Sequence, residues 1–254
     1  MIGMNEFLLG EMSLSRADTA RLRLLEAGLQ CFAERGLEGT SIRELAKEAG
    51  QNSAAIKYYF ESKEGLYHAV IEAVMRFMQT LMSAVSQEYG EALSARKLSS
   101  DQAAVLLRKM RRNMLQTMLT NPMASRFALL LVREQTRPSA AFEPLFKQAI
   151  EPLHRMFAHL VSVVSGDPIE CERSILRAHS LIGQVQIFIM ARETILRRLG
   201  WETFDESHAE HVLDMMQADL ERLMESWKSP SAFTGEAEVR QRTAVRRKGG
   251  KSRS

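Results

Sequence analysis

At 254 residues, 45% apolar and 26% charged, with 14 Gly and 6 Pro, the chain is long enough to bury a sizeable core, and its composition is that of a folded, helix-rich protein. The net charge of +3 excludes a uniformly basic nucleic-acid binder: residues 228–254 hold eight basic and two acidic side chains, so the remainder is slightly acidic, at −3, and any DNA-binding surface has to be local. No apolar run reaches the ~18 residues that span a bilayer, the start lacks the stretches of a signal peptide, and two distant cysteines, Cys31 and Cys171, make no metal motif. A reduced cytoplasmic protein with buried thiols and no metal or cofactor is therefore expected.

Residues 1–15 form an N-terminal extension without a clear pattern. A first helix is predicted over residues 15–35, with Leu22, Leu25, Leu29 and Phe32 at helical spacing and Gly36 as its stop. Ser41 and Glu44 match a capping box, which opens a short second helix with Ile42, Leu45, Ala46 and Ala49 on its inner face. Gly50 ends it. Asn52 or Ser53 caps a third short helix to Tyr59, and Ser62 caps a long fourth one. Further helices follow over about 99–119 and 122–135. The next starts at Ser139 and should kink or split at Pro152. A single long helix is expected over 168–199, with Asp167 as cap and Pro168 in its first turn, and a last one runs over 205–227. No strand pattern occurs, so the fold class is all-α. The basic tail of residues 228–254 reads as disordered and could add sequence-independent affinity for DNA.

The informative stretch is residues 40–60. Two short helices joined by a glycine-containing turn make a helix-turn-helix, in which small Ala46 lets the helices cross closely and the second helix can enter a major groove. Its outer face should carry Gln51, Ser53, Ala54, Lys57 and Tyr58. Gln, Ser and Lys can bond base edges, and alanine can meet a thymine methyl. Thr40, Ser41, Arg43, Tyr58, Tyr59 and Lys63 suit phosphates, which fix register. Between Arg16 and Gly65 eight basic residues balance eight acidic ones, so bulk charge gives little support.

The ordered set Ala27…Cys31-Phe32-Ala33-Glu34-Arg35-Gly36, Thr40-Ser41-Ile42-Arg43-Glu44-Leu45-Ala46, Gly50, Tyr58-Tyr59-Phe60 and Ser62-Lys63-Glu64-Gly65-Leu66 resembles the DNA-binding domain of the TetR family. Lys57 and Gln51-Asn52 depart from the family's usual residues in the base-reading region, so the operator does not follow by analogy. The segments 131–142 and 179–201 resemble a CerR-type C-terminal domain. The resemblance implies a helix-turn-helix domain over residues 16–76 and a helical ligand-binding and dimerisation domain over 85–227. It further implies a homodimer on double-stranded DNA at a near-palindromic operator, acting as a repressor that a small-molecule effector releases.

The stretch 181–190 is apolar almost all round and, with Val212, Leu213, Met216, Leu220, Leu223 and Met224, suggests a four-helix dimer interface. Polar residues within apolar stretches, namely Arg133, Glu134, His154, His179, Gln184 and Glu193, are candidates for a ligand pocket, or they satisfy one another. His154 and His159 are spaced wrongly for a metal on one helix face. No nucleophile–base pair, phosphate loop or metal spacing points to an enzyme. The alternative is a DNA-binding regulator controlled by a protein partner or acting without a ligand, which a collapsed interior would favour over a roomy one.

Overall fold

Helix α1 (Arg16–Arg35) opens the part of the chain that the computed structural model describes, residues 16–95 and 98–228. The N-terminal extension and the basic tail lie outside the described residues. The predicted face of α1 is the buried one: Leu22, Leu25, Leu29 and Phe32 are all in the core. Helices α2 (Ile42–Glu48) and α3 (Ser53–Phe60) follow, and α4 (Lys63–Ser94) runs unbroken for 32 residues through both expected domains. The boundary between them is therefore continuous helix, not a linker.

The local signals act as chemistry requires. Ser41 Oγ accepts from the Glu44 N–H while the Glu44 carboxylate accepts from the Ser41 N–H, at 3.2 and 2.8 Å. These bonds hold the Glu44 carboxyl below the usual carboxylate range. Asn52, not Ser53, caps α3, accepting from the Ala55 N–H at 2.9 Å. The turn between α2 and α3 passes through Gly50 at φ +61°. Between α3 and α4, Glu61 is held at φ +67° and ψ −42°, and the Ser62 N–H donates to the Phe60 carbonyl at 2.7 Å. This is a strained three-residue turn, with a side chain where glycine is normally found.

The second half is built around α5 (Ser100–Thr120), which packs on α4, α6 (Pro122–Thr136), α8 (Glu151–Ser165), α9 (Glu172–Met190) and α11 (Glu206–Lys228). Among the described residues no strand occurs. The expected disturbance at Pro152 lies just before it. A short α7 (Phe142–Leu145) runs into a π-helical turn, Phe146–Ile150, whose widened register lets the Glu151 N–H reach the Phe146 carbonyl, and Pro152 falls in the first turn of α8, where its missing N–H is harmless.

The helix expected over 168–199 is two helices. Asp167 does not cap it, because its carboxylate is taken by Arg173 and Arg177, at 3.2 and 2.6 Å. Cys171 caps α9 instead, its Sγ accepting from the Ser174 N–H at 3.4 Å, so this thiol is half-buried while Cys31 is fully buried. After Ala191 the chain turns into α10 (Arg192–Leu199). The turn returns Phe204 to the core under the Arg192 guanidinium and stacks Trp201 on His208 at 4.0 Å. The apolar stripe expected to join two subunits is also corrected: Val212, Leu213, Met216, Leu220 and Met224 pack inside the protomer.

Candidate functional site

One face of α3 stands clear of the core. Ile56 and Phe60 point inward, and Ser53, Ala54, Lys57 and Tyr58 share the opposite, exposed face, with Tyr58 80% exposed. Gln51 is half-buried at the entry to the helix, and Tyr59 lies half-buried with its ring edge-on to Tyr58 at 4.8 Å. On α2 and its cap, Ser41 and Arg43 are exposed. The geometry thus brings together eight of the ten residues expected at DNA.

The other two are corrected. Thr40 is buried, and its hydroxyl donates to the Gly36 carbonyl at 2.7 Å and approaches that of Cys31 at 3.3 Å, closing the end of α1. The Lys63 ammonium turns back onto the Leu37 and Thr40 carbonyls, at 2.8 and 3.1 Å. Two of its three donors hold the α1–α2 loop against α4, so its first task is structural.

Of the six residues offered for a ligand pocket, one lines an interior cavity. The cavity, about 50 Å³, lies between α4, α5, α6, α8 and α9, walled by methionines 78, 82, 114 and 118 with leucine and isoleucine, and it includes His154. Burial, and then the charge of His179, pull the His154 imidazole below its ordinary pKa and favour the neutral form. His179 is exposed on α9 with its ring 5.5 Å from His154. Glu193 is exposed and pairs with Arg197 one turn on. The Gln184 Oε1 is buried without a hydrogen-bond partner among the described residues, away from the cavity lining.

Arg133 is on α6 but serves α1. Its guanidinium donates to the Glu34 and Arg35 carbonyls, at 3.3 and 2.8 Å, and so caps α1 from the second half of the chain. Gly36 makes room for it: φ is +75°, and a Cβ there would stand 2.3 Å from Arg133 Nε. Next to it, Glu134 is 2% exposed and fully engaged. It accepts from the Tyr67 hydroxyl on α4 and from the Ser139 N–H and hydroxyl, at 3.2 and 3.0 Å. Tyr67 packs edge-on to Phe32 at 5.0 Å, and burial, reinforced by the Glu134 carboxylate, raises its phenol pKa. Three helices, α1, α4 and α6, therefore meet at one polar junction between the helix-turn-helix and the cavity.

Arg111 was not singled out from sequence. It is 2% exposed in the middle of α5, and none of its guanidinium nitrogens has a hydrogen-bond partner among the described residues. Burial lowers its pKa while the charge of Asp219 opposes that, and a guanidinium stays ionised regardless. Its position on the inward stripe with Leu107 and Met114 was the available signal.

Apolar side chains stand open on the outer side of α9, whereas on α11 the exposed side is charged, with Glu210, Asp214 and Glu221 around Met215. Leu176, Ile187 and Met190 recur along α9, each about half-exposed, and Met215 stands out on α11. No helix among the described residues is long and apolar enough to cross a membrane.

Comparison with known proteins agrees with this architecture. Residues 24–70 match the family model of bacterial regulatory proteins, tetR family, and residues 103–226 match that of the C-terminal domain of the HTH-type transcriptional dual regulator CecR. The chain is 34% identical over 212 residues to the HTH-type transcriptional dual regulator CecR of Shigella flexneri, covering 83% of this chain and 93% of that one. It is 42% identical over 65 residues to the probable HTH-type transcriptional regulator YttP of Bacillus subtilis (strain 168), covering 25% and 31%. Among solved structures, AibR in complex with isovaleryl coenzyme A and operator DNA shares the fold at a TM-score of 0.55 and 18% identity, covering 77% of this chain and 97% of that one. The ketosteroid transcriptional regulator KstR2 of Mycobacterium tuberculosis does so at 0.58 and 14%, covering 82% and 96%.

Proposed function

The chain belongs to the TetR family and is a DNA-binding transcriptional regulator, and on that premise we propose that it acts as a homodimeric repressor whose paired α3 helices enter successive major grooves of a near-palindromic operator and leave it when a small molecule fills the cavity between α4 and α9. The observation that carries this reading is the exposed face of α3. Ser53, Ala54, Lys57 and Tyr58 project from a helix anchored by Ile56 and Phe60, which is the presentation a major groove requires. In this reading Gln51, Ser53, Ala54 and Lys57 meet base edges, while Ser41, Arg43, Tyr58 and Tyr59 meet phosphates.

The helix-turn-helix domain spans residues 16–76 and the effector and dimerisation domain 85–227. Dimerisation uses the outer stripe of α9 and α11, where Leu176, Ile187, Met190 and Met215 gain burial that the monomer does not give them. The junction of Tyr67, Arg133 and Glu134 carries the movement: filling the cavity displaces α6, and α6 holds the end of α1. Operator binding places the protein in the cytoplasm.

A second reading keeps the DNA-binding dimer but replaces the small molecule with a protein partner or no ligand. The interior favours it in one respect, because 50 Å³ is far below the 300–1,000 Å³ or so of drug-sized sites. Footprinting on the DNA beside its own gene, repeated with candidate effectors and joined to a reporter, tests both readings. Protection at half-sites about one helical turn apart, lost with an effector, supports the first. Since the Shigella relative is named a dual regulator, the reporter is read for activation as well. Lys57→Ala and Tyr58→Ala should each weaken operator binding about 5- to 150-fold with the melting temperature unchanged. Wild-type affinity in both would remove α3 from the interface, and a monomer at micromolar concentration would remove the dimer.

A further inference from the structure

The interior cavity is not isolated. Met78, Met82 and Leu153 line it on one side and on the other line a surface groove of about 420 Å³ between α4 and the start of α8. That groove in turn shares Tyr89, Pro152 and Met156 with an outer hollow of about 400 Å³. Met78, Met82 and Leu153 form the wall shared by the cavity and the groove. Two of them are methionines, unbranched and adaptable, so rotation about their side-chain bonds joins the two spaces without moving a helix. The wall stands beside the π-helical turn, which places Gln148 and Ala149 in the groove and Ile150 in the cavity. Such turns are frequent at functional sites.

Polarity rises outward along this path. The cavity is mostly Met, Leu, Ile and Val, with Gln135, His154 and Gln186 as its polar members. The groove adds Gln79, Ser83, Ser86 and Gln148 but no charged side chain. Charge enters only in the outer hollow, where Glu151 and Arg155 carry opposite signs. At about 50 Å³ the cavity is small, which suits the end of a single chain better than a fused ring.

We propose that the effector is a linear amphiphile, a single alkyl or acyl chain with an uncharged hydrogen-bonding head, whose chain passes the Met78–Met82–Leu153 wall into the cavity and whose head stays in the Ser83–Gln148 groove. This rests on the reading that the C-terminal domain takes a small molecule. The apolar lining selects the chain, and the uncharged hydroxyls and amides of the groove select the head, since a full charge would lose water there without gaining a counter-charge. The neutral form favoured for His154 is consistent with an apolar inner end.

The test uses the full-length protein and n-alkanols from hexanol to decanol, followed by isothermal titration calorimetry. Alkanoates and alkyltrimethylammonium ions of equal length serve as charged controls. Affinity should tighten about fourfold per added methylene until the cavity is full and then level off, with each alkanol ahead of its charged counterparts. Ser83→Trp, at an exposed position in the groove, should lower decanol affinity at least tenfold while the ligand-free melting temperature stays put. Should that variant melt early, Gln148→Ala, also exposed, should reduce affinity for the head while retaining the chain-length trend. Affinity independent of chain length, preference for a charged head, or wild-type binding in both variants overturns the proposal. Operator affinity read in parallel separates the two claims. Length-dependent binding that leaves DNA affinity unchanged upholds this site and refutes effector release. Release by another compound, with no alkanol binding, upholds release and refutes this assignment.

Discussion

Replacing Tyr67 by Phe removes one oxygen from the junction of α1, α4 and α6 and little else. The ring keeps its edge-on contact with Phe32, so packing is preserved. What is lost is the donor to Glu134 Oε1, a carboxylate oxygen on a residue only 2% exposed. The Ser139 N–H and hydroxyl serve the other oxygen, Oε2, and do not replace it. A buried acceptor stripped of its partner, with a charged group involved, gives a loss of about 2 kcal/mol. For a chain of this size that is a fall in melting temperature of about 4–8 °C at pH 7, read by calorimetry. The pH dependence supplies a second, independent readout. The folded phenol pKa is raised above its unfolded value near 10, so the neutral phenol contributes stability that is fully present below about pH 10. Above that, the unfolded chain releases its proton while the folded chain keeps it, and stability falls as pH rises, by up to about 1.4 kcal/mol per pH unit from this group. The Phe variant lacks this contribution, so the two proteins should converge in stability between pH 10 and 11.5. A melting temperature within a degree of wild type at pH 7, or parallel alkaline decay in the two proteins, would refute the hydrogen-bonded junction.

Three further outcomes follow from the same geometry. Arg133→Met keeps the stem of the side chain but drops both bonds to the end of α1, and should cost about 1 kcal/mol in urea melts and blunt any effector's influence on operator binding; an unchanged midpoint with intact response would exclude the cap as the coupling. Arg111→Met replaces a buried, unpartnered guanidinium by an apolar group of similar length, so the protein should be as stable or about 1–4 kcal/mol more stable. Destabilisation by 2 kcal/mol would instead reveal an anionic partner. Glu61→Gly relieves a left-handed backbone and should raise stability by about 1 kcal/mol after glycine's entropy is counted, with a melting temperature at or below wild type counting against strain at that turn.

Local signals were legible where the interaction is local. The Ser41–Glu44 box, the stop at Gly50 and the inward positions of α1 depend on residues three or four apart, and the sequence displays them directly. The exposed face of α3 follows from the same periodicity. What stayed hidden depends on partners far along the chain. Thr40 and Lys63 look like phosphate contacts until the carbonyls of Gly36 and Leu37 come into reach. Arg133 looked like a pocket residue because its real partners lie about 100 positions away. Asp167 looked like a cap beside Pro168, yet two arginines on the following helix claim it. For Glu134 the plain expectation that polar groups satisfy one another was the right one.

The Arg133 cap bears on how this regulator can be divided. The helix-turn-helix is short enough to suggest a portable module, to be cut out and fused elsewhere. Yet the final carbonyls of α1 are closed by a side chain that comes from α6, and Tyr67 has its acceptor there too. Excised at residue 76, the fragment would carry a frayed first helix and a Tyr67 hydroxyl without its carboxylate, opened to water. Swapping sensor domains among regulators of this kind therefore means moving Gly36, Tyr67, Arg133 and Glu134 as one set, since each half of the protein finishes the folding of the other.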